Sequence, residues 1–173
     1  MGLEGTMEQD TMLAGEPLRL ANDHGCFGCG KLNDFGLQME FRENPEGDGV
    51  WARVVPAPRF EGYLGVIHGG VVTAMLDEVM AWSLYRDDAW GMTAQMNVRF
   101  RKPVIVGEPV RAIGHIVAQR GRLYETRGEL RRESDNVLLA DATATFMRVS
   151  REQADAWNQR YNGDPAPSEE VGR

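Results

Sequence analysis

The sequence lacks any apolar run near the roughly 18 residues that a membrane-spanning helix requires, which excludes a transmembrane class. It also lacks a basic cluster. Its 19 Lys and Arg are scattered among 26 Asp and Glu, and the formal charge of −7 repels nucleic-acid backbones and anionic membranes alike. Neither nucleic acid nor a membrane is therefore expected as a partner. A few locally placed arginines can still hold the phosphates of an anionic small ligand. The first ten residues, MGLEGTMEQD, contain neither the basic nor the apolar stretch of a secretory signal, so a cytoplasmic location is expected. Cysteine is scarce, with Cys26 and Cys29 only. What is present is 173 residues with 42% apolar content, enough for one domain with a real core and too little for two.

Residues 1–22 show no sustained period, and the C-terminal NGDPAPSEEVGR is rich in Pro, Gly and charge. The expected divisions are an N-terminal tail or short helix over 1–22, one domain over 23–149, and a C-terminal helix with a flexible tail over 150–173. Within the domain, period-two alternation marks two paired strands. Leu37, Met39 and Phe41 share a face in the first, and Val50, Ala52 and Val54 do so after the turn-forming ENPEGDG. From Met92 to Phe100 the alternation places Met92, Ala94, Met96, Val98 and Phe100 on a core face and Thr93, Gln95, Asn97 and Arg99 on a polar one. Further strands are expected at about 109–119, 122–132 and 137–149, with connections short enough for an antiparallel meander.

One segment changes period. GGVVTAMLDEVMAWSLY, from Gly69 to Tyr85, sets Val71, Val72, Met75, Leu76, Val79 and Met80 on one helical stripe, with Ala74 and Ala81 keeping the opposite side nearly apolar. A second helix is expected from Ser150, whose hydroxyl caps the first turn with Gln153 three residues on. Two strands, a buried helix and four strands imply an α+β fold, an antiparallel sheet wrapped around one long central helix. Such a sheet keeps free edges, which dimerisation through an edge would cover.

Between Val66 and Tyr85 the only ionisable side chains are His68, Asp77 and Glu78. A carboxylate on so apolar a helix must face water, a partner chain or a ligand, because burying it unpaired costs several kcal/mol. Asp77 lies nearly opposite the centre of the stripe, and Glu78 lies at its margin. His68-Gly69-Gly70 opens the helix, where free N–H groups and the helix dipole favour negative charge, so this turn is an oxyanion-hole candidate. Gly70 and Asp77 are seven residues apart, or roughly 10 Å along the helix axis. One chain's turn and its own Asp77 cannot both touch one carbonyl. A site that uses both is shared between two chains.

At this point the sequence resembles a known family. The run G-x-x-G-x-x-H-G-G-x-x-x-x-x-L-D from Gly62 to Asp77, followed by T-A-x-x-N-V-R-F-x-x-P-V from Thr93 to Val104, is similar to the hotdog-fold acyl-CoA thioesterases related to the phenylacetate-pathway enzyme. The leader CFGCGKLNDFGL resembles one branch of that family, so the likeness covers about residues 25–149. The resemblance implies hydrolysis of an acyl-CoA to the free acid and CoA. It assigns Asp77 as nucleophile or general base, Gly69 as the donor that polarises the thioester carbonyl, and Thr93 as a hydrogen-bonding assistant. Some relatives carry Asn or Gln at the position of Gly62, a departure here.

The remaining candidates divide similarly. His68 and Gly70 are read as binding-loop residues, and Arg99 and Arg101 as a rim for CoA phosphates or a solvated strand end. Glu78 is read as a structural or interface residue. His24, Cys26 and Cys29 form H-x-C-x-x-C, which could supply three zinc ligands. No fourth is evident, so the cysteines are read as reduced and structural, with no metal and no cofactor expected. Trp82, Tyr85 and Trp90 either pack the core or line an aromatic acyl pocket. The expected assembly is a homodimer or a tetramer of two dimers, and the rival reading is a non-catalytic acyl-CoA-binding module.

Overall fold

The computed structural model describes residues 14–163. Its centre is helix α1, Gly69–Arg86, set across a seven-stranded sheet. In chain order the strands are β1 (Pro17–Leu18), β2 (Phe41–Glu43), β3 (Val50–Val54), β4 (Glu61–Tyr63), β5 (Val66–Ile67), β6 (Gly91–Phe100), β7 (Val110–Arg120), β8 (Leu123–Arg132) and β9 (Leu138–Arg148). The large sheet runs β1-β2-β3-β7-β8-β9-β6, antiparallel throughout, while β4 and β5 pair apart from it. Helix α2 follows at Arg151–Asn162, where Ser150 Oγ accepts from the Gln153 N–H at 3.2 Å as the capping pattern requires. This is the hotdog arrangement expected above, an antiparallel sheet around one helix. Among the described residues no helix is long and apolar enough to cross a membrane.

The sheet can hold the helix closely because its middle is made of small residues. Gly114, Gly128 and Ala142 stand side by side across β7, β8 and β9. A Cβ on Gly114 would come within 2.5 Å of the Val79 carbonyl oxygen, and one on Gly128 within 3.1 Å of Met80 Cγ. At Gly114 sheet and helix backbones thus approach with no side chain between them, and at Gly128 the Met80 and Leu76 side chains lie directly on the sheet backbone. Val72, Met75, Leu76, Val79 and Met80 fill the rest and are buried, as the helical stripe predicts, while Val71 is half-buried. At about 25 cal/mol per Å² of apolar surface, this stripe is the main source of cohesion.

Three sequence expectations change. Leu37–Met39 does not extend β2, because the Leu37 and Met39 N–H groups donate to Phe27 and Gly28 at 2.8 and 2.9 Å, and Gln38 adopts φ +49°. The leader loop takes the bonds that a strand partner would have used. Residues 14–22 are not wholly a tail, since Pro17–Leu18 pairs with Phe41–Arg42, whereas residues 1–13 and the expected tail over 164–173 lie outside the described residues.

The third change is in β6. Thr93 pairs with Phe146 and Gln95 with Thr145, so Ala94 is an extra residue, a β-bulge. Residues opposite one another share a face, and on β9 the buried face is Ala140, Ala142, Ala144 and Phe146. Thr93 therefore joins Met96, Val98 and Phe100 on the helix side, and Met92 turns outward with Met147. Strict alternation had put Met92 in the core and Thr93 in the polar row. No β6 residue is fully buried, in keeping with its place at the end of the sheet.

Candidate active site

The bulge gives Asp77 its partner. Asp77 is half-buried on α1, and Thr93 Oγ1 donates to its Oδ1 at 2.7 Å. One carboxylate oxygen is fixed by this bond, and the other remains to accept from water or to meet an electrophile. A charge-assisted bond of this kind is worth about 1.5–3 kcal/mol and sets the carboxylate plane.

At the other end of the helix, His68 is the N-cap. Its Nδ1 accepts from the Gly70 N–H at 2.9 Å, and its carbonyl accepts from Val71 and Val72. The imidazole therefore holds the turn, and the Gly70 amide is spent within it. The Gly69 N–H has no acceptor among the described residues and sits at the positive end of the helix. Of the two glycines, Gly69 keeps the free donor. Phe100 lies beside it, with ring atoms 3.6 Å from where a Gly69 Cβ would stand. Gly62 packs against the same turn, since a Cβ there would come within 2.9 Å of His68 Cα. The position where some relatives carry an amide has no room for a side chain here.

The candidates thus fall into two groups. Asp77 and Thr93 meet near the middle of α1, while His68, Gly69 and Gly70 gather at its start with Phe100 between Arg99 and Arg101. Eight residues of helix separate Gly69 from Asp77, about 12 Å along the axis. Arg101 is ion-paired with Asp141, which holds that carboxyl below its ordinary range, and Arg99 faces solvent on the outer side of β6.

Glu78, one residue on, lives differently. The leader loop folds over it, with Cys26 Sγ 3.7 Å from Oε1 and the Trp82 indole donating to Oε1 at 3.2 Å. Burial pushes its carboxyl up to about 7, with the charge of Cys26 adding to the effect and hydrogen bonds from Cys29 and Trp82 opposing it. Within the cysteine pair, the Cys29 thiol donates to Cys26 and holds it below the usual thiol range, while Cys29 keeps its proton. Beside this group opens a cavity of about 200 Å³ lined chiefly by Trp82, Tyr85, Trp90, Trp157 and Tyr161. The rings also pack on one another, Tyr85 with Trp90 at 5.2 Å and Trp90 with Tyr161 at 5.6 Å. These aromatics therefore pack on one another and line a cavity as well. Glu78's partner Cys26 was missed because it lies 52 residues away in sequence.

The thioesterase-superfamily model matches residues 64–139, a span that contains Gly69, Asp77, Thr93, Arg99 and Arg101. Over that stretch the chain is similar to the thioesterase superfamily. An uncharacterised protein of Schizosaccharomyces pombe is 30% identical over 95 residues, covering 52% of this chain and 54% of that protein. The acyl-coenzyme A thioesterase THEM4 of Xenopus laevis is 29% identical over 94 residues, covering 54% of this chain and 42% of that protein. The chain therefore spans about half the length of the curated relatives it matches. Among solved structures, the phenylacetic acid degradation-related protein of Ralstonia eutropha JMP134 superposes with a TM-score of 0.57 at 28% identity, over 64% of this chain and 85% of that one. The superfamily span excludes the leader with Cys26 and Cys29.

Proposed function

We propose that this protein is an acyl-CoA thioesterase whose site is completed by two copies of the chain. The observation that carries this reading is the division of the site: a hydroxyl-braced carboxylate at Asp77 and a free amide at Gly69, about 12 Å apart on one helix. The edge of β6, unpaired among the described residues, offers a way to join the halves. Antiparallel pairing of two β6 edges about Met96–Asn97 sets Thr93 of one copy opposite Phe100 of the other, and so brings Asp77 near the second copy's Gly69.

The thioester carbonyl oxygen accepts from the Gly69 N–H, which stabilises negative charge as the carbonyl is attacked. Asp77 either takes a proton from the attacking water and passes it to the departing sulfur, or attacks directly to form a mixed anhydride that a water molecule then hydrolyses, supplying the proton and freeing Asp77. The carbon–sulfur bond breaks, the thiolate of CoA takes a proton, and the free acid leaves. Thr93 holds Asp77 in place. The cytoplasmic location, the dimer or dimer of dimers, and Arg99 as a contact for CoA phosphates belong to the same proposal.

Thiol release from short-chain, long-chain and aryl acyl-CoAs tests the reaction. The wild type turns over at least one of them, and D77N loses about 10²- to 10⁴-fold in kcat while still binding. No turnover of any acyl-CoA by the wild type favours the binding module. Gly69→Pro tests the amide: proline is tolerated at the first helical position, and the extended ψ of 134° at His68 suits a following proline. Its loss is expected to cost about 10²- to 10³-fold. Mixing the D77N and Gly69→Pro chains restores about a quarter of the sites if pairing is random and sites are shared. No restoration after subunit exchange sinks the shared site.

A further inference from the structure

The turn C-F-G-C-G and Glu78 form a group that thioester cleavage does not use. One ligand atom each from Cys26, Cys29 and Glu78 lie within 4.8 Å of one another. Cys26 Sγ stands 3.7 Å from Glu78 Oε1 and 3.8 Å from Oε2. A tetrahedral zinc ion, with bonds of about 2.3 Å to sulfur and about 2.1 Å to oxygen, holds a sulfur and an oxygen about 3.6 Å apart. The observed separation is close to that value.

We propose that Cys26, Cys29 and Glu78 bind a zinc ion, with the fourth position open to the aromatic cavity beside them. The loop is shaped around this group. Its Gly28 N–H donates to Cys26 Sγ at 3.3 Å, the kind of bond that stabilises a metal-bound thiolate. A Cβ on Gly28 would come within 2.3 Å of Glu78 Oε2, and one on Gly30 within 2.3 Å of the His24 carbonyl, so only glycine lets the turn lie on the carboxylate. Trp82 donates to Oε1 and orients the carboxylate from behind, as the outer partner of a metal ligand does.

His24 is not the third ligand that the H-x-C-x-x-C spacing suggested. Its Nδ1 faces the Cys26 N–H at 3.4 Å, and its ring packs edge-on against Tyr161 at 5.3 Å. Glu78 takes its place. Two sulfurs select zinc over magnesium or calcium. The charge of the ion offsets two thiolates and a carboxylate that would otherwise be costly to gather in a covered site. The same cavity is lined by all three donors, which leaves room for a water or an exchangeable ligand in the fourth position.

The test uses the full chain, purified with a thiol reductant, incubated with excess zinc chloride, desalted and measured by elemental analysis. One zinc per chain is expected, and replacement by cobalt gives the visible bands of tetrahedral coordination with thiolate-to-cobalt charge transfer. C29S and E78Q lose stoichiometric zinc, H24A keeps it, and Trp82→Phe weakens it on the order of tenfold to a hundredfold, measured against a chromophoric chelator. Circular dichroism shows which variants are folded. Folded wild type that retains no zinc overturns the proposal whatever the variants do. So does loss of zinc in folded H24A together with its retention in E78Q.

Discussion

Asp77 and Glu78 are adjacent residues of the same type of acid on one helix, and they occupy unlike regions. The Asp77 side of α1 faces β6, the end strand of the described sheet, where the Thr93 hydroxyl touches the carboxylate. The Glu78 side is covered by the leader loop, an indole and two thiols, and its carboxyl is pushed up to about 7. The 100° step of a helix separates the carboxylate proposed for chemistry from the one proposed for ligation. Both differ from the third face, which carries no charge and rests on glycine.

Substitutions can break this contrast. The largest effect belongs to D77N: about 10²- to 10⁴-fold in kcat with an unchanged unfolding midpoint, read by thiol release and urea denaturation. A similar kinetic loss in E78Q would erase the distinction. Thr93→Val removes the brace on Asp77 and is expected to lower kcat by about tenfold to a hundredfold, with KM little changed. Gly114→Ala tests the sheet face. Its Cβ meets helix backbone at 2.5 Å, and an unfolding cost of about 1–3 kcal/mol is expected with little effect on kcat per folded chain.

The Glu78 face is sharpened by pH, in protein stripped of metal by a chelator. Because the folded state favours the protonated acid, its contribution is full below the ordinary carboxyl range and is lost as pH rises through about 7. Wild type should therefore lose stability relative to E78Q between about pH 5 and pH 8. Parallel stability curves for the two proteins would remove the contrast. The smallest effect is Ser150→Ala, about 1 kcal/mol from the cap of the helix whose Trp157 and Tyr161 close the cavity on that side. It is read as a small fall in thermal midpoint.

Most of this was legible where period alone decides. Helix α1 and strands β6 to β9 emerge within a residue or two of their expected limits, because each buries one repeating face. Asp77 stood out as a rare charge in an apolar run, and its distance from Gly70 led to the expectation that a site using both is shared between two chains. What was hidden depended on contacts that no local pattern encodes. The bulge at Ala94 reverses the facing of Met92 and Thr93, and nothing in the residue types announces it. Leu37–Met39 alternates like a strand but spends its amides on the leader loop. H-x-C-x-x-C suggested its own histidine as a ligand, whereas folding brings Glu78 from 52 residues away.

The edge of β6, unpaired among the described residues, also bears on the kinetic order of the proposed reaction. If neither half-site cleaves alone, rate per chain is not a constant of the molecule but a function of how many chains share the volume. Above the dimer dissociation constant, turnover is first order in protein. Below it, the order approaches two, and dilution alone silences the enzyme while every chain remains folded.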